Sequence, residues 1–291
     1  PSVAVSTRRP SGSMLSSVIH AAVTAACLWQ LPGVKTHLLA FDTDIVDLED
    51  TATDTSDFLE IDLNEIDLAE IDLNEALKMR LAILPPESEE IANSLGDLAA
   101  VYHKTGRYEL CEEKLRQALK IRLSTLGRNH RETAILLGNL GNLYSQQAKY
   151  EEARDYYQQA LQSLHAADLK DHPEAGEYLE GLGLLETKQG NFSLAEKYLE
   201  RSLKLRERTF GEQNPDTAKS KLALGRLLLA RADKASAPKL RSRYLDSALA
   251  RISSACETLE KTLGAEHNDL KAARESLAEC LKARSRQQTA K

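Results

Sequence analysis

Three histidines, His130, His172 and His267, recur in similar turn sequences and could bind a metal ion. Imidazole nitrogen and thiolate sulfur are preferred ligands of Zn²⁺, but a zinc site needs them clustered, usually with paired spacings such as CxxC. None of the four cysteines (Cys27, Cys111, Cys256 and Cys280) stands in such a pair. Histidines that recur at one turn position instead favour helix capping or packing. We therefore expect no metal and no cofactor, and we interpret the cysteines as free thiols.

The sequence carries no recognisable catalytic motif. It has no P-loop, no HExxH zinc motif and no GxSxG nucleophile elbow. Gly181-Leu182-Gly183 matches half of a dinucleotide-binding fingerprint, but it lies inside a predicted helix. The isoelectric point near 5.8 argues against nucleic-acid binding, as does the lack of a basic face with interleaved aromatic residues. We expect a protein that is not an enzyme and binds no nucleic acid.

A repeat of 42 residues organises most of the chain. The dipeptide Leu98-Ala99 recurs 42 residues later as Leu140-Gly141, and twice more at the same interval. Self-similarity at a fixed period is the signature of a solenoid, in which each unit buries its apolar face by stacking on its neighbours. The other positions that keep this step are Leu182-Gly183 and Leu224-Gly225, Tyr108, Tyr150 and Phe192, and Ala118, Ala160 and Ser202.

Each repeat is predicted to contain a first helix, a short turn and a longer second helix, with Gly or Pro in the connections. Residues 65–84 are in register with a second helix alone, so they predict an incomplete first repeat. The step from Ser202 to Ala248 is 46 residues, and the extra residues fall near 235–238. The predicted helix pairs are Ile91–Lys104 with Tyr108–Leu126, Thr133–Gln147 with Tyr150–Ala166, Ala175–Gln189 with Phe192–Phe210, and Thr217–Ala232 with Lys239–Leu263, followed by a closing helix, Leu270–Arg284.

This pattern of small and aromatic residues resembles the tetratricopeptide repeat (TPR) family, and the 42-residue step resembles its kinesin-light-chain-like branch. The resemblance implies an all-α fold, a right-handed α-solenoid of TPR helix-turn-helix repeats with an N-terminal extension. The array would span residues 65–284 as a partial repeat, about four repeats and a closing helix, with a basic tail at 285–291. The positions that carry the pattern in the second repeat are Leu140, Gly141, Tyr144, Ala148, Tyr150, Ala153, Tyr157 and Ala160.

The resemblance also implies a function, a scaffold that binds a peptide segment or a neighbouring subunit along its first helices. Asn139-Leu140-Gly141-Asn142 matches the family motif whose asparagines hold a peptide backbone, and an amide both donates and accepts hydrogen bonds. The alternative is that these amides are simply solvated. Gly96 stands where the carboxylate clamp of chaperone-binding TPRs has a Lys, so that clamp is not supported. The implied peptide-binding residues are Asn93, Asp97, His103, Lys104, Asn139, Asn142, Gln146, Lys188, Lys219 and Arg226, with Glu177 and Glu180 beside them.

The charges fall in separate blocks along the chain. Residues 42–75 contain 14 Asp and Glu and no Lys or Arg, whereas residues 76–291 are net positive. An acidic segment with interleaved apolar residues is a ligand that TPR grooves accept. We therefore predict that the acidic linker, residues 42–64, docks on the first helices of its own array, with Lys104, Lys188, Lys219 or Arg226 among its contacts. The alternative is a solvated linker.

The N-terminal arm, residues 1–41, contains no acidic residue and includes a largely apolar run, Met14–Leu31. A basic, acid-poor leader of this kind is typical of an organelle transit peptide, and the run is about the ~17–20 residues that a membrane span needs. Arg8-Arg9 ahead of it also fits a twin-arginine signal. The alternatives for the protein are therefore a membrane-associated accessory or assembly subunit of a mitochondrial or plastid complex, with membrane contact through 14–31, and a cytoplasmic protein whose arm is buried or disordered.

Overall fold

The computed structural model describes residues 63–289, and side chains within 69–287. Ten helices and no strand occur between residues 63 and 289. This confirms the predicted fold class, an all-α solenoid of TPR repeats. The helices form two compact units, one ending at Gly127 and the other beginning at Arg128. Three helices belong to the first unit: α1 (Leu63–Ile83), α2 (Glu89–Lys104) and α3 (Tyr108–Thr125).

Seven helices build the second unit, and they alternate between first and second helices of a repeat. The pairs α4–α5, α6–α7 and α8–α9 pack together, and α10 closes the unit against α9. Their bounds are α4 (Arg131–Gln146), α5 (Tyr150–Ala166), α6 (Pro173–Gln189), α7 (Phe192–Phe210), α8 (Pro215–Lys234), α9 (Pro238–Leu263) and α10 (Asn268–Thr289).

The first helices begin two residues earlier than the sequence predicted, and α4 and α8 have side-chain caps just ahead of them. The backbone N–H of Glu132 donates to His130 Nδ1 at 3.2 Å, and that of Asp216 donates to Asn214 Oδ1 at 2.8 Å. Such caps satisfy N–H groups that lack partners in the first helical turn. Asp269 N–H donates to His267 Nδ1 in the same way, at 3.1 Å. The predicted capping role is thus confirmed for two of the three recurring histidines.

Small residues let the two helices of each repeat approach closely. A Cβ atom built on Gly141 would lie 2.7 Å from the Tyr157 ring, and one built on Gly183 would lie 2.5 Å from Leu199 Cγ. A Cβ on Gly225 would likewise clash with Ile252. Interiors are packed too densely to absorb such overlaps without moving their neighbours. The glycine of each repeated Leu-Gly dipeptide is therefore the position where the second helix of a repeat packs closely against the first helix.

The hydrophobic core runs through the helix pairs. Fully buried leucines from the first helices, such as Leu140, Leu182 and Leu227, are accompanied by small buried residues of the second helices. Three cysteines, Cys111, Cys256 and Cys280, are buried free thiols, as predicted for them, and Cys27 lies outside the described residues. Burial raises the pKa of Cys111 to about 11, which keeps that thiol protonated at neutral pH.

We expect Gly183→Ala to lower the free energy of unfolding by about 1–3 kcal/mol, because the added methyl overlaps Leu199. Gly96→Ala, in α2, is the matched control, since nothing lies within 4 Å of the new Cβ there. Replacing that helical glycine should stabilise its unit by about 0.5–1 kcal/mol. Hydrogen exchange of each unit's own helices during urea titration measures both changes. Equal stability of the two variants would contradict the assigned helix pairing.

Candidate functional site

The first helices of the second unit lie side by side. Asn142 Nδ2 in α4 donates to Glu177 Oε1 in α6 at 2.9 Å, and Ser220 Oγ in α8 donates to Glu180 Oε2 in α6 at 2.9 Å. Polar contacts thus join α4 to α6 and α6 to α8 without the second helices between them. We call the surface formed by the exposed residues of α4, α6 and α8 the first-helix face.

Tyr157 reaches the first-helix face from the second helix α5. Its ring occupies a slot between two glycines: Cβ atoms on Gly141 of α4 and Gly181 of α6 would lie 2.7 and 2.5 Å from it. The hydroxyl then donates to Asn142 Oδ1 at 2.6 Å. Burial, followed by the negative charge of Glu177, raises the pKa of Tyr157, so the phenol remains a donor at neutral pH. A buried side chain therefore fixes the orientation of an amide on this face.

Three predicted amides follow one stripe of α4. Asn139, Asn142 and Gln146 are spaced by three and four residues, which places them on one side of a helix. Asn139 and Gln146 are exposed, whereas Asn142 is half-buried and uses both ends of its amide, one on Tyr157 and one on Glu177. The stripe therefore offers two free amides that flank an oriented one.

Lys188 lies at the carboxyl end of α6 and is exposed. Its ammonium is 5.5 Å from the centroid of the Tyr150 ring, the geometry of a cation–π contact. The structure thus places this predicted residue at an exposed position with its ammonium over an aromatic ring.

The two predicted residues of α8 contact the closing helix. Lys219 Nζ lies 3.0 Å from the Asp269 carboxylate, and Arg226 donates to Ser276 Oγ at 2.9 Å and to the Ala272 carbonyl at 3.1 Å. Burial works to lower the pKa of Lys219, but its hydrogen bond to Asp269 and the nearby negative charges raise it. These side chains therefore attach α10 to α8.

The four remaining predicted residues belong to α2 in the first unit. Asn93 Oδ1 accepts a hydrogen bond from Arg122 Nη2 at 2.5 Å. Burial raises the pKa of Asp97 to about 6, although the positive charge of Arg80 opposes this. Burial, with Lys104 nearby, lowers the pKa of the half-buried His103, whose ring tilts against Tyr108. Lys104 is exposed, and burial of its stem lowers its pKa.

A buried ion pair in the second unit was not predicted from the sequence. Arg206 Nη1 lies 2.5 Å from the Glu180 carboxylate and donates to Ser220 Oγ at 2.9 Å and to the Asp216 carbonyl at 3.0 Å. Burial raises the pKa of Glu180 even though Arg206 opposes it. The sequence does contain a signal for a repeated arginine. Arginines stand at positions 80, 122 and 206, and position 164 is the one 42-residue step between them that lacks an arginine. Arg80 makes the matching contacts to Ser94 and to the Glu90 carbonyl.

The described residues hold neither a metal site nor a membrane span. Residues 63–289 contain no group of three or more His, Cys, Asp or Glu that could bind a metal ion. In the same range no helix is long and apolar enough to cross a membrane. Met14–Leu31 and the acidic linker lie before this range, apart from the last residues of the linker, so the predictions of a targeting segment and of linker docking stay predictions.

The helix pairs and the 42-residue step agree with a comparison against sequence families. The family model described as tetratricopeptide repeat matches residues 90–165 and 174–246, together just over half of the chain. The chain belongs to the tetratricopeptide repeat family. This confirms the resemblance seen in the sequence.

Solved structures confirm the fold of this TPR protein. BtubC (BKLC) from P. vanneervenii aligns over 76% of the chain and 91% of its own, with a TM-score of 0.53 and 17% identity. A putative kinesin light chain from Podospora anserina, with nearly identical TPR-like repeats, covers 69% and 90%, at 19% identity and a TM-score of 0.52. The apo form of RapI covers 79% and 80%, at 18% identity and a TM-score of 0.52. At these identities the likeness concerns the fold alone.

The N-terminal part matches a different family. A model described as VWA domain containing CoxE-like protein covers residues 10–76, which include Met14–Leu31 and the acidic linker. The uncharacterized protein YehP of Escherichia coli K12 is 63% identical over 49 residues, which amount to 17% of this chain. The match spans only 13% of YehP, so it shows similarity over a short segment.

The orientation of Asn142 can be tested with Tyr157→Phe, which keeps the ring and removes the hydroxyl. Loss of one net hydrogen bond should cost about 0.5–1.5 kcal/mol, and the amide resonances of Asn142 should shift. Tyr156→Phe is the control, because the half-buried Tyr156 ring stacks on Tyr144 at 5.3 Å and its hydroxyl has no hydrogen-bond partner in the structure. NMR and urea unfolding measure both effects. Unshifted Asn142 resonances in Tyr157→Phe would show that the hydroxyl does not hold the amide.

The raised pKa of Asp97 predicts a pH-dependent stability of the first unit. A carboxyl whose pKa rises on folding stabilises the fold fully below its unfolded pKa of about 3.9, and this contribution is lost as pH rises through about 6. Asp97→Asn should therefore stabilise the unit at pH 8, by at most about 3 kcal/mol, and have little effect at pH 4. Hydrogen exchange of α2 at both pH values measures this, with the exposed Glu109→Gln as control. A gain of the same size at pH 4 would contradict the assignment.

Proposed function

We propose that this TPR protein is a non-catalytic interaction scaffold, and that the first-helix face of its second unit binds an extended peptide segment of a protein partner. The observation that carries the proposal is the amide stripe of α4. Asn139 and Gln146 are exposed, and Asn142 between them is oriented by Tyr157. An extended peptide exposes backbone N–H and C=O groups that an amide can pair with simultaneously.

The neighbouring charges support a peptide of defined polarity. The exposed Glu177 shares one carboxylate oxygen with Asn142, while Lys188 lies near the carboxyl end of the same helix. A carboxylate and an ammonium about three turns apart on α6 favour opposite charges at two points of a bound segment. The face therefore selects both a backbone and a direction.

The closing helix limits where such a peptide binds. Lys219 and Arg226 are engaged by α10, so their side chains hold the end of the stack. In α10 the exposed Lys271 follows the buried Leu270, and a polar outer surface is typical of a capping helix. We therefore place the peptide on α4 and α6.

The N-terminal match favours a second element of the proposal, in which the array is joined to part of a VWA-type domain. The model for the VWA domain reaches residue 76, well into α1. The array would then present a partner to that domain or to a larger assembly. The alternative of a membrane-associated subunit of an organellar complex rests on the acid-free arm with Arg8-Arg9 and the apolar run Met14–Leu31, and that run lies within the same matched segment.

Peptides selected from a displayed random library against the full chain provide the probe for this face. Asn139→Ala and Gln146→Ala should each weaken the selected peptides by roughly 2- to 10-fold, the equivalent of one hydrogen bond. Gln158→Ala, at an exposed position of α5, is the matched control and should leave affinity unchanged. Fluorescence anisotropy gives the dissociation constants. Peptides that bind all three variants as well as they bind the unchanged chain would place the binding site elsewhere.

A further inference from the structure

A cleft of about 320 Å³ opens on the second unit between α5, α7 and the start of α6. It is lined by residues of the second helices α5 and α7, of the turn after α5 and of the first turn of α6, and by none of α4, so it is separate from the amide stripe of α4. Leu161, Ala166 and Ala175 supply apolar surface, and His165, Lys170 and Arg201 supply polar or basic groups. Its volume lies at the lower end of the ~300–1,000 Å³ typical of ligand pockets.

The basic residues of this cleft lack acidic partners. Lys170 and Arg201 are exposed, and neither forms an ion pair with a described residue. Other arginines of α7 are paired: Arg206 with Glu180 at 2.5 Å, and Arg208 with Asp171 at 2.9 Å. Asp171, next to Lys170 in the turn, is therefore already partly neutralised, and the exposed Asp168 of the same turn is not among the residues that line the cleft. The lining of the cleft thus combines two basic side chains with apolar surface and contains no Asp or Glu.

We propose that this cleft binds an acidic linear segment of a protein partner. One apolar side chain of the segment inserts against Leu161, Ala166 and Ala175, and flanking carboxylates pair with Lys170 and Arg201. The charge complementarity selects an acidic partner, and the apolar lining selects one with a large apolar residue among its acids. A bidentate carboxylate contact suits the planar guanidinium of Arg201. The site lies outside the first-helix face and is independent of the function proposed for it.

The chain itself contains a segment with this chemistry, which supplies a defined probe. Residues 42–62 carry nine Asp and Glu, no Lys or Arg, and interleaved apolar residues that include Phe58, Leu59 and Ile61. A labelled synthetic peptide of this sequence can be titrated against the full chain by fluorescence anisotropy. Two control peptides separate the contributions: one with every Asp and Glu replaced by Asn and Gln, and one with the three apolar residues replaced by Ser.

We expect the acidic peptide to bind, and Lys170→Glu and Arg201→Glu each to weaken binding at least about tenfold. Both control peptides should bind at least about tenfold more weakly, and added salt should reduce affinity because exposed charges are screened. Lys234→Glu, at an exposed position near the end of α8, is the charge-matched control and should change affinity by less than about twofold. All three substitutions are at exposed positions, so unchanged thermal melting verifies folding.

Four results would overturn the proposal. The first is that the peptide does not bind the unchanged chain. The second is that Lys234→Glu weakens peptide binding as much as Arg201→Glu does, which would indicate nonspecific attraction. The third is that Lys188→Glu abolishes peptide binding while Arg201→Glu does not, which would assign the peptide to the first-helix face. The fourth is that the peptide binds a chain whose own residues 42–62 have every Asp and Glu replaced by Asn and Gln but does not bind the unchanged chain. That result would make the chain's own segment, and not a protein partner, the occupant of the cleft.

Discussion

The contact on which the second unit depends is the close approach of two helices at one glycine in each repeat. Gly141, Gly183 and Gly225 stand where a Cβ would overlap Tyr157, Leu199 and Ile252 in turn. A helix pair with this spacing buries the surface between its two helices but leaves apolar surface exposed for the next pair to cover. The 42-residue step repeats this need for a neighbouring pair along the chain. The slot that Tyr157 occupies between α4 and α6 is a product of the same constraint, since it needs Gly141 on one side and Gly181 on the other.

Polar groups join successive helices at a second repeated position. Arg80 bonds Ser94, and Arg206 bonds Ser220, each partner standing 14 residues after its arginine. Of the two steps between them, one has Arg122 and Leu136 at these positions and the other has Leu164 and Tyr178, all of them buried. One location in the repeat therefore accepts an arginine with a serine, an arginine with a leucine, or two largely apolar side chains. Buried charges cost desolvation, so removing Glu180 alone, which leaves Arg206 charged, is expected to be more damaging, on the order of 3–5 kcal/mol, than replacing both with apolar residues.

The sequence predicted the helices closely, because small residues and aromatics recur at fixed positions and because Gly and Pro interrupt the helices between them. It placed Tyr150–Ala166 and Phe192–Phe210 with the bounds seen in the structure. It did not predict that Asn142, Lys219 and Arg226 bond neighbouring helices, since hydrogen bonds between helices depend on side-chain conformations that no periodicity encodes. The VWA-type similarity of residues 10–76 was missed for another reason: residues 10–64 lie outside the 42-residue repeat, and residues 65–76 were assigned to the repeat itself.

The distribution of satisfied and unsatisfied polar groups decides where this scaffold can bind. At the end of the stack Lys219 and Arg226 bond α10, so their charged groups already have partners within the fold. Over α4 and α6 the fold uses one amide, Asn142, and leaves Asn139 and Gln146 exposed beside it. An amide whose partners already fix its orientation loses little conformational freedom on binding, whereas a free one must be ordered at a cost of about 0.5–1.5 kcal/mol. The buried Tyr157 hydroxyl therefore orients an amide at the centre of the face where we propose that a peptide binds, and the same glycines that allow helix packing make that orientation possible.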